Sequence, residues 1–220
     1  MMHPVLYSYR RCPYAMRARM ALYVSGTQVE VREIALRDKP VELLATSPKA
    51  TVPVLVLEDG TVIDQSRSIM MWALLQADPQ GWLKVASSGD LQGADALVDE
   101  NDADFKRALD GYKYPQRHPG LSAQEQRAAG ELFLHKLELR LQSHAQLLGN
   151  TASWADVAIF PFVRQFAMVD AAWFSEAPYP QLRGWLTGWL QSALFEHIMV
   201  KLPTWQAGQP PALLIPPVDR

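Results

Sequence analysis

The sequence predicts two domains, a small α/β unit with helices packed on a mixed sheet and then an all-helical unit. Three observations carry this. Short β-rich runs alternate with helical spacing over the first 77 residues. A stretch punctuated by Pro, Gly and Ser, "DPQGWLKVASSGD", then breaks the pattern, and beyond it only helical spacing recurs. The expected boundaries are 1–77 for the α/β domain, 78–89 for a linker, 90–205 for the helical domain and 206–220 for a Pro-rich tail.

The elements follow in order. "PVLYSY" is a β-rich run, and "YAMRARMALYVSG" places Met16, Met20 and Tyr23 on one helical face, with Gly26 positioned to stop the helix. "TQVEVREIAL" alternates Val29, Val31 and Ile34 with Glu30, Arg32 and Glu33, as a half-buried strand does. "KPVELLAT" reads as a short helix. "VPVLVLEDGTVID" reads as two strands around Asp59-Gly60, a dipeptide suited to a type I′ hairpin. "SRSIMMWALLQA" resumes helical spacing, with Ser66 as the expected N-cap. Past the linker, helical patterns cover about 90–112, 122–148, 153–168 and 181–200, and the tail "QPPALLIPPVDR" is expected to be extended and loosely packed.

Hydrophobic residues make up 49% of the 220 and charged residues 20%, enough to bury a sizeable core while keeping the surface wet. The formal net charge of −2 gives no electrostatic case for nucleic acid or an anionic membrane as main partner. No apolar run is long enough to span a bilayer. A single cysteine and no export signal point to a reducing, cytoplasmic setting. The five histidines lack paired ligand spacing, so no metal site is expected. The acidic run "DENDAD" reads as a solvated helix face.

The one cysteine, Cys12, stands in "YRRCPYAMRARMAL". It has no disulfide partner within the chain, so it is either a small buried hydrophobe or a working sulfur. Pro13 suits the first turn of a helix and places the sulfur near the helix N-terminus. Unpaired N–H groups and the macrodipole favour an anion there, and Arg10, Arg11, Arg17 and Arg19 add positive charge to the neighbourhood. "Cys-Pro-Tyr-Ala" is a Cys-X-X-Cys redox motif without its second thiol. Ala15 cannot resolve a mixed disulfide, so a redox cycle needs an external thiol, of which glutathione is the foremost candidate. Two further segments carry candidates. Pro53 in "SPKATVPVL" fits a strand start. "DQSRSI" puts Gln65 and Ser66 at a helix start, which caps the helix or binds a carboxylate.

Together these segments resemble the glutathione S-transferase superfamily, a thioredoxin-like domain followed by a helical one, over nearly all of residues 1–205. "RCPYAMRARMAL" is similar to the cysteine-type members, such as the omega class and two-domain glutaredoxins. "SWADVAIFPF" resembles the folding motif of the second domain, where Ser153 caps the core helix and Asp156 reaches back to it. The resemblance implies Cys12 as the catalytic residue. It implies a cis proline at Pro53, whose preceding residue Val52 pairs with the cysteinyl backbone of glutathione, and a Gln65-Ser66 pair on the γ-glutamyl carboxylate. Lys39 in "DKP" matches a glutathione-contacting lysine of omega-like members. Phe105 and Tyr112, with Tyr9, fall where a second-substrate pocket is expected, against ordinary core packing as the plainer reading.

The implied function is glutathione-dependent thiol transfer or reduction, or conjugation of an electrophile. Glutathione would be the co-substrate, no metal is required, and a cytoplasmic homodimer is expected. Tyr7 and Tyr9 lie near the catalytic tyrosine of other classes and keep a tyrosine mechanism open. The alternative is a non-catalytic binding or regulatory protein that keeps the fold.

Overall fold

The computed structural model describes residues 3–84, 91–118 and 120–214. The chain divides into two compact units, one made of residues up to Gly81 together with those from Ser192 onward, the other of Trp82–Gln191.

The first unit is built on a mixed sheet in the order β4-β3-β1-β2-β5. Its strands are β1 (Val5–Ser8), β2 (Val29–Glu33), β3 (Val54–Val56), β4 (Val62–Ile63) and β5 (Leu213–Leu214). β1 runs parallel to β2 (Leu6 beside Val31) and antiparallel to β3 (Leu6 beside Leu55). Helix α1 (Pro13–Val24) forms the crossover between the parallel strands β1 and β2. It is buried on nearly every face, from Pro13 to Val24 with only Tyr14 half-exposed. Helices α2 (Val41–Thr46) and α3 (Ser66–Gln76) complete the N-terminal portion. One face of the sheet packs Val5, Tyr7, Ile34, Leu43 and Val54 into a core, with Tyr9, Val52 and Val56 against it.

The hairpin differs from the I′ form that Asp59-Gly60 predicts. Only Gly60 takes a positive φ (87°), Gly60 N–H donates to Leu57 O (3.0 Å) and Leu57 N–H to Thr61 O (2.8 Å). This is a three-residue loop with one left-handed position, and the Asp59 carboxylate stabilises it by accepting Thr61 N–H at 2.8 Å.

The C-terminal stretch departs from expectation more sharply. The single helix predicted over 181–200 divides, because Ser192 accepts Phe195 N–H (3.1 Å) and starts a new helix. Helices α9 (Pro180–Leu190) and α10 (Ala193–Ile198) therefore fall in different units. Nor is the tail loose up to residue 214. Trp205 N–H donates to Glu33 O (2.8 Å), Val31 N–H to Ala212 O (2.7 Å), and β5 pairs antiparallel with β2, Leu213 beside Glu30. The Arg32 guanidinium lies 4.3 Å above the Trp205 ring, whose edge also meets Tyr7. The rest of the expected tail, 215–220, and residues 85–89 of the expected linker lie outside the described residues. Trp82, read as linker, is buried and accepts Trp154 N–H through its carbonyl (2.9 Å).

In the second unit the described helices are α4 (Leu91–Glu100), a π-helical turn over Asn101–Phe105, α5 (Lys106–Lys113), α6 (Ala123–Leu141), α7 (Trp154–Ala167), α8 (Ala171–Glu176) and α9. The widened turn falls on the acidic run. It points Asn101 and Phe105 inward and leaves Asp104 exposed. α6 begins in a full capping box between Ser122 and Glu125. Gly130 lets it approach Phe166, whose ring would lie 2.4 Å from any β-carbon there. α7 is buried along almost its whole length and continues through Pro161. Its start is closed by Asp156, which accepts Ser153 N–H (2.9 Å), the Ser153 hydroxyl (2.7 Å), Leu147 N–H (2.8 Å) and the Trp185 indole N–H (3.1 Å). No helix among the described residues is long and apolar enough to cross a membrane.

Candidate active site

The site grows from the turn between β1 and α1. Cys12 N–H donates to Tyr9 O (3.0 Å), and its carbonyl begins the helix by accepting Met16 N–H (2.9 Å). Cys12 thus occupies the N-cap with extended backbone (φ −76°, ψ 123°), Pro13 follows at the first helical position, and the cysteine side chain does not cap the helix. Its sulfur is half-exposed and donates instead to Val52 O, 3.7 Å away. The Val52–Pro53 bond is cis, as the resemblance implies. Among the described residues the Val52 N–H has no hydrogen-bond partner, so this turn carries an unused backbone donor. The loop leading to it includes Ala50 at φ 51°, where Ala50 N–H closes a turn onto Ser47 O (2.9 Å).

Ser66 does not take the N-cap position expected of it. The N-cap of α3 is the exposed Gln65, and Ser66 is the first helical residue, buried. The displacement has a physical cause. Arg17, from α1, is itself buried and donates to Ser66 Oγ twice, from Nε (3.0 Å) and Nη2 (2.9 Å). Two incoming donors fill the hydroxyl's acceptor capacity and turn its own hydrogen toward whatever lies beyond. Arg17 also lies 5.0 Å from the centre of the Tyr14 ring. Lys39 is half-buried on the loop between β2 and α2.

A second buried network stands behind the β1–α1 turn. Arg19 donates to Ser8 Oγ (2.5 Å) and to Arg10 O (2.8 Å), while its Nε has no partner among the described residues. Burial lowers its guanidinium to about 10, against the opposing pull of Glu33 and Cys12. Glu33 accepts Arg10 N–H at 2.7 Å. Burial raises its carboxyl, with Arg10 and Arg19 pulling the other way.

Arg17 and Arg19 were legible only as charge near the thiol. Their burial had a signal all the same. In α1 every other residue from Ala15 to Val24 is apolar, so no wet face was left for either side chain. The tyrosines fall differently. Tyr7 is buried and its hydroxyl accepts Arg32 Nη1 (2.8 Å). Tyr9 is half-buried and lines a cleft on the first unit with Arg10 and Arg11. Phe105 and Tyr112 belong to the core of the second unit, their rings packed on Phe166, with Phe133 also against Phe105.

Comparison with known proteins reports on both units. Residues 6–81 match the family described as glutathione S-transferase, N-terminal domain, and residues 116–188 match glutathione S-transferase, C-terminal domain. Among curated proteins, mouse glutathione S-transferase omega-1 is 38% identical over 61 residues, a match covering 28% of this chain and a quarter (25%) of that protein. The fold is shared with a glutathione transferase family member from Pseudomonas fluorescens Pf-5 solved with two glutathione molecules bound. Its TM-score is 0.77 at 14% identity, covering 90% of this chain and 92% of that one. A glutathione S-transferase-I bound with lactoylglutathione is similar at TM-score 0.72 and 19% identity, covering 90% and 98%.

Proposed function

The chain belongs to the glutathione S-transferase family, and on that premise we propose that it is a glutathione-dependent thiol transferase working through Cys12. One observation carries the reading. The only cysteine stands at a helix start with its sulfur against the backbone of Val52, the residue before the cis proline. Glutathione extended along this edge would pair its cysteinyl backbone with Val52, as an added strand does, and bring its own sulfur to Cys12. Gln65 and the Ser66 hydroxyl, held from behind by Arg17, would take the γ-glutamyl carboxylate, and Lys39 would meet the far end of the tripeptide.

The chemistry needs one protein thiol. The Cys12 thiolate attacks the glutathione sulfur of a glutathionylated substrate, forming the Cys12–glutathione disulfide and expelling the substrate thiolate, which takes up a proton. A second glutathione thiolate then attacks the bound glutathione sulfur, releasing oxidised glutathione and restoring the Cys12 thiolate. Atoms and electrons balance without a second cysteine, as Ala15 in the resolving position requires.

Conjugation is the competing reaction. There the glutathione thiolate attacks an electrophile directly, and Cys12 with the helix start only stabilises it. One pair of assays separates the two. Cys12→Ser should abolish reduction of a glutathionylated disulfide, because a hydroxyl cannot exchange with sulfur, while conjugation to an aromatic electrophile should persist. Thiol transfer surviving in Cys12→Ser would overturn the mechanism. Failure of the wild type to be retained on immobilised glutathione would overturn the family reading of the site, in favour of a non-catalytic role for the fold.

A further inference from the structure

Beside the residues that lead into Cys12, the first unit carries an open cleft of about 450 Å³, walled by residues 9–11, 33–37, 201, 202 and 204. Its chemistry is uneven. Arg10, Arg11, Arg37 and Lys201 bring four cationic side chains to it, and Glu33 the one carboxylate. That carboxylate is already engaged, since it accepts Arg10 N–H and faces the buried Arg19. The cleft wall therefore carries three more cationic side chains than carboxylates. Such an excess is not a general property of the surface, because the whole chain is formally −2. Between the charges lie apolar surfaces from Leu36 and Leu202 and the Tyr9 ring. A concave site of this volume with apolar walls and a few convergent charges suits an organic molecule, and fixed charge of one sign focuses its potential there.

We propose that this cleft receives the second substrate and selects one bearing a carboxylate on an apolar body. The inference rests on Cys12 and Val52 forming the glutathione site, because the cleft begins at Tyr9–Arg11, the residues directly before the thiol. A group attached to the glutathione sulfur at Cys12 would run past Tyr9 into the cleft, where Arg37 and Lys201 would hold its anionic end. Arg37 and Lys201 are the specificity determinants. Both are exposed, so their contribution is screened by salt.

Three stable thioethers of one shape test this, S-(4-carboxybenzyl)-, S-(4-carbamoylbenzyl)- and S-(4-aminomethylbenzyl)glutathione, titrated by calorimetry at low and high salt. The carboxylate should bind about tenfold more tightly than the amide at low salt, the ammonium most weakly, and the spread should narrow as salt rises. In Arg37→Glu with Lys201→Glu the carboxylate-to-ammonium ratio should invert, and in the double glutamine variant it should fall toward one. Those ratios report the charge of the cleft and do not move with a general loss of folded protein. Equal affinities for the three thioethers in the wild type would overturn the anion selectivity alone and leave glutathione binding standing. No binding of any of them would overturn the glutathione site and this inference with it.

Discussion

Two helix starts in this molecule carry the same kind of unpaired backbone donors and treat them in opposite ways. At α7 the start is closed. Asp156 is fully buried and takes four donors, from Ser153, Leu147 and Trp185, into one carboxylate. At α1 the N-cap is a half-exposed cysteine whose side chain does not cap. A helix start that satisfies itself holds a core together, and one that leaves its field directed outward can hold an anion. The serine and aspartate of α7 serve the fold, whereas the cysteine of α1 costs the helix a cap and leaves a sulfur in a positive field.

The contrast is broken most severely at the closed end. Asp156→Ala strands four buried donors, and we expect it to lose about 3–5 kcal/mol in urea unfolding, or to fail to fold. Asp156→Asn keeps an acceptor and should lose less. A loss below about 1 kcal/mol for the alanine variant would mean that the α7 start is not closed by this carboxylate.

Arg17 tests whether the open end is held from behind. Arg17→Met keeps the apolar stem in α1 and removes both bonds to Ser66 Oγ. We expect a stability loss of about 1–3 kcal/mol, and weaker retention on immobilised glutathione, although Arg17 is buried beneath the serine. Retention equal to wild type, measured on folded protein, would detach Arg17 from the site.

The open end itself is read by alkylation. The rate of Cys12 modification against pH should show a midpoint below the ~8.5 of a free cysteine. The helix start and the charge of Arg19, which Cys12 feels across the turn, both favour the thiolate. A midpoint at or above the free value would make the two helix starts equally inert.

The smallest effect concerns Glu33, which braces the turn before α1 by accepting Arg10 N–H. Its carboxyl is raised by burial above the ordinary value, so the folded protein holds this proton to higher pH than the unfolded chain does. Stability from this group is then full below the ordinary glutamate range and is withdrawn as pH rises through the raised value. Relative to wild type, Glu33→Gln should gain stability as pH rises from the ordinary glutamate range toward neutrality, by less than ~1 kcal/mol because the group is partly solvated. A gap that widens in the other direction would reverse the sign.

Patterns within one element were the legible part. The strand alternation around Val29 and Val31, the Cys12-Pro13 helix start and the Ser153–Asp156 reach-back all appear at the expected residues, because each depends on neighbours a few positions apart. What escaped depends on distant partners. Leu213 and Leu214 are two apolar residues in a Pro-rich run, and nothing local marks them as a strand until the edge of β2 is beside them. Ser66 reads as a cap by its neighbours, but the cap position falls to Gln65 and the serine hydroxyl is taken up by Arg17, which lies 49 positions earlier. Phe105 and Tyr112 show the same limit. Their spacing is equally that of a pocket wall and of a core, and only their distant partners, the rings of Phe133 and Phe166, show what they pack against.

The pairing of β5 with β2 has a consequence for synthesis. A ribosome releases β1, α1, β2, β3 and β4 long before it releases the residues that lie along β2. In the interval the outer edge of β2 presents unpaired N–H and C=O groups, and the whole of Trp82–Gln191 emerges before that edge is covered. An exposed strand edge is a template for pairing with other chains. The nascent protein therefore carries this edge open to its neighbours on a polysome through the whole synthesis of the second unit, and slow decoding anywhere between β2 and Leu213 should lower the soluble yield.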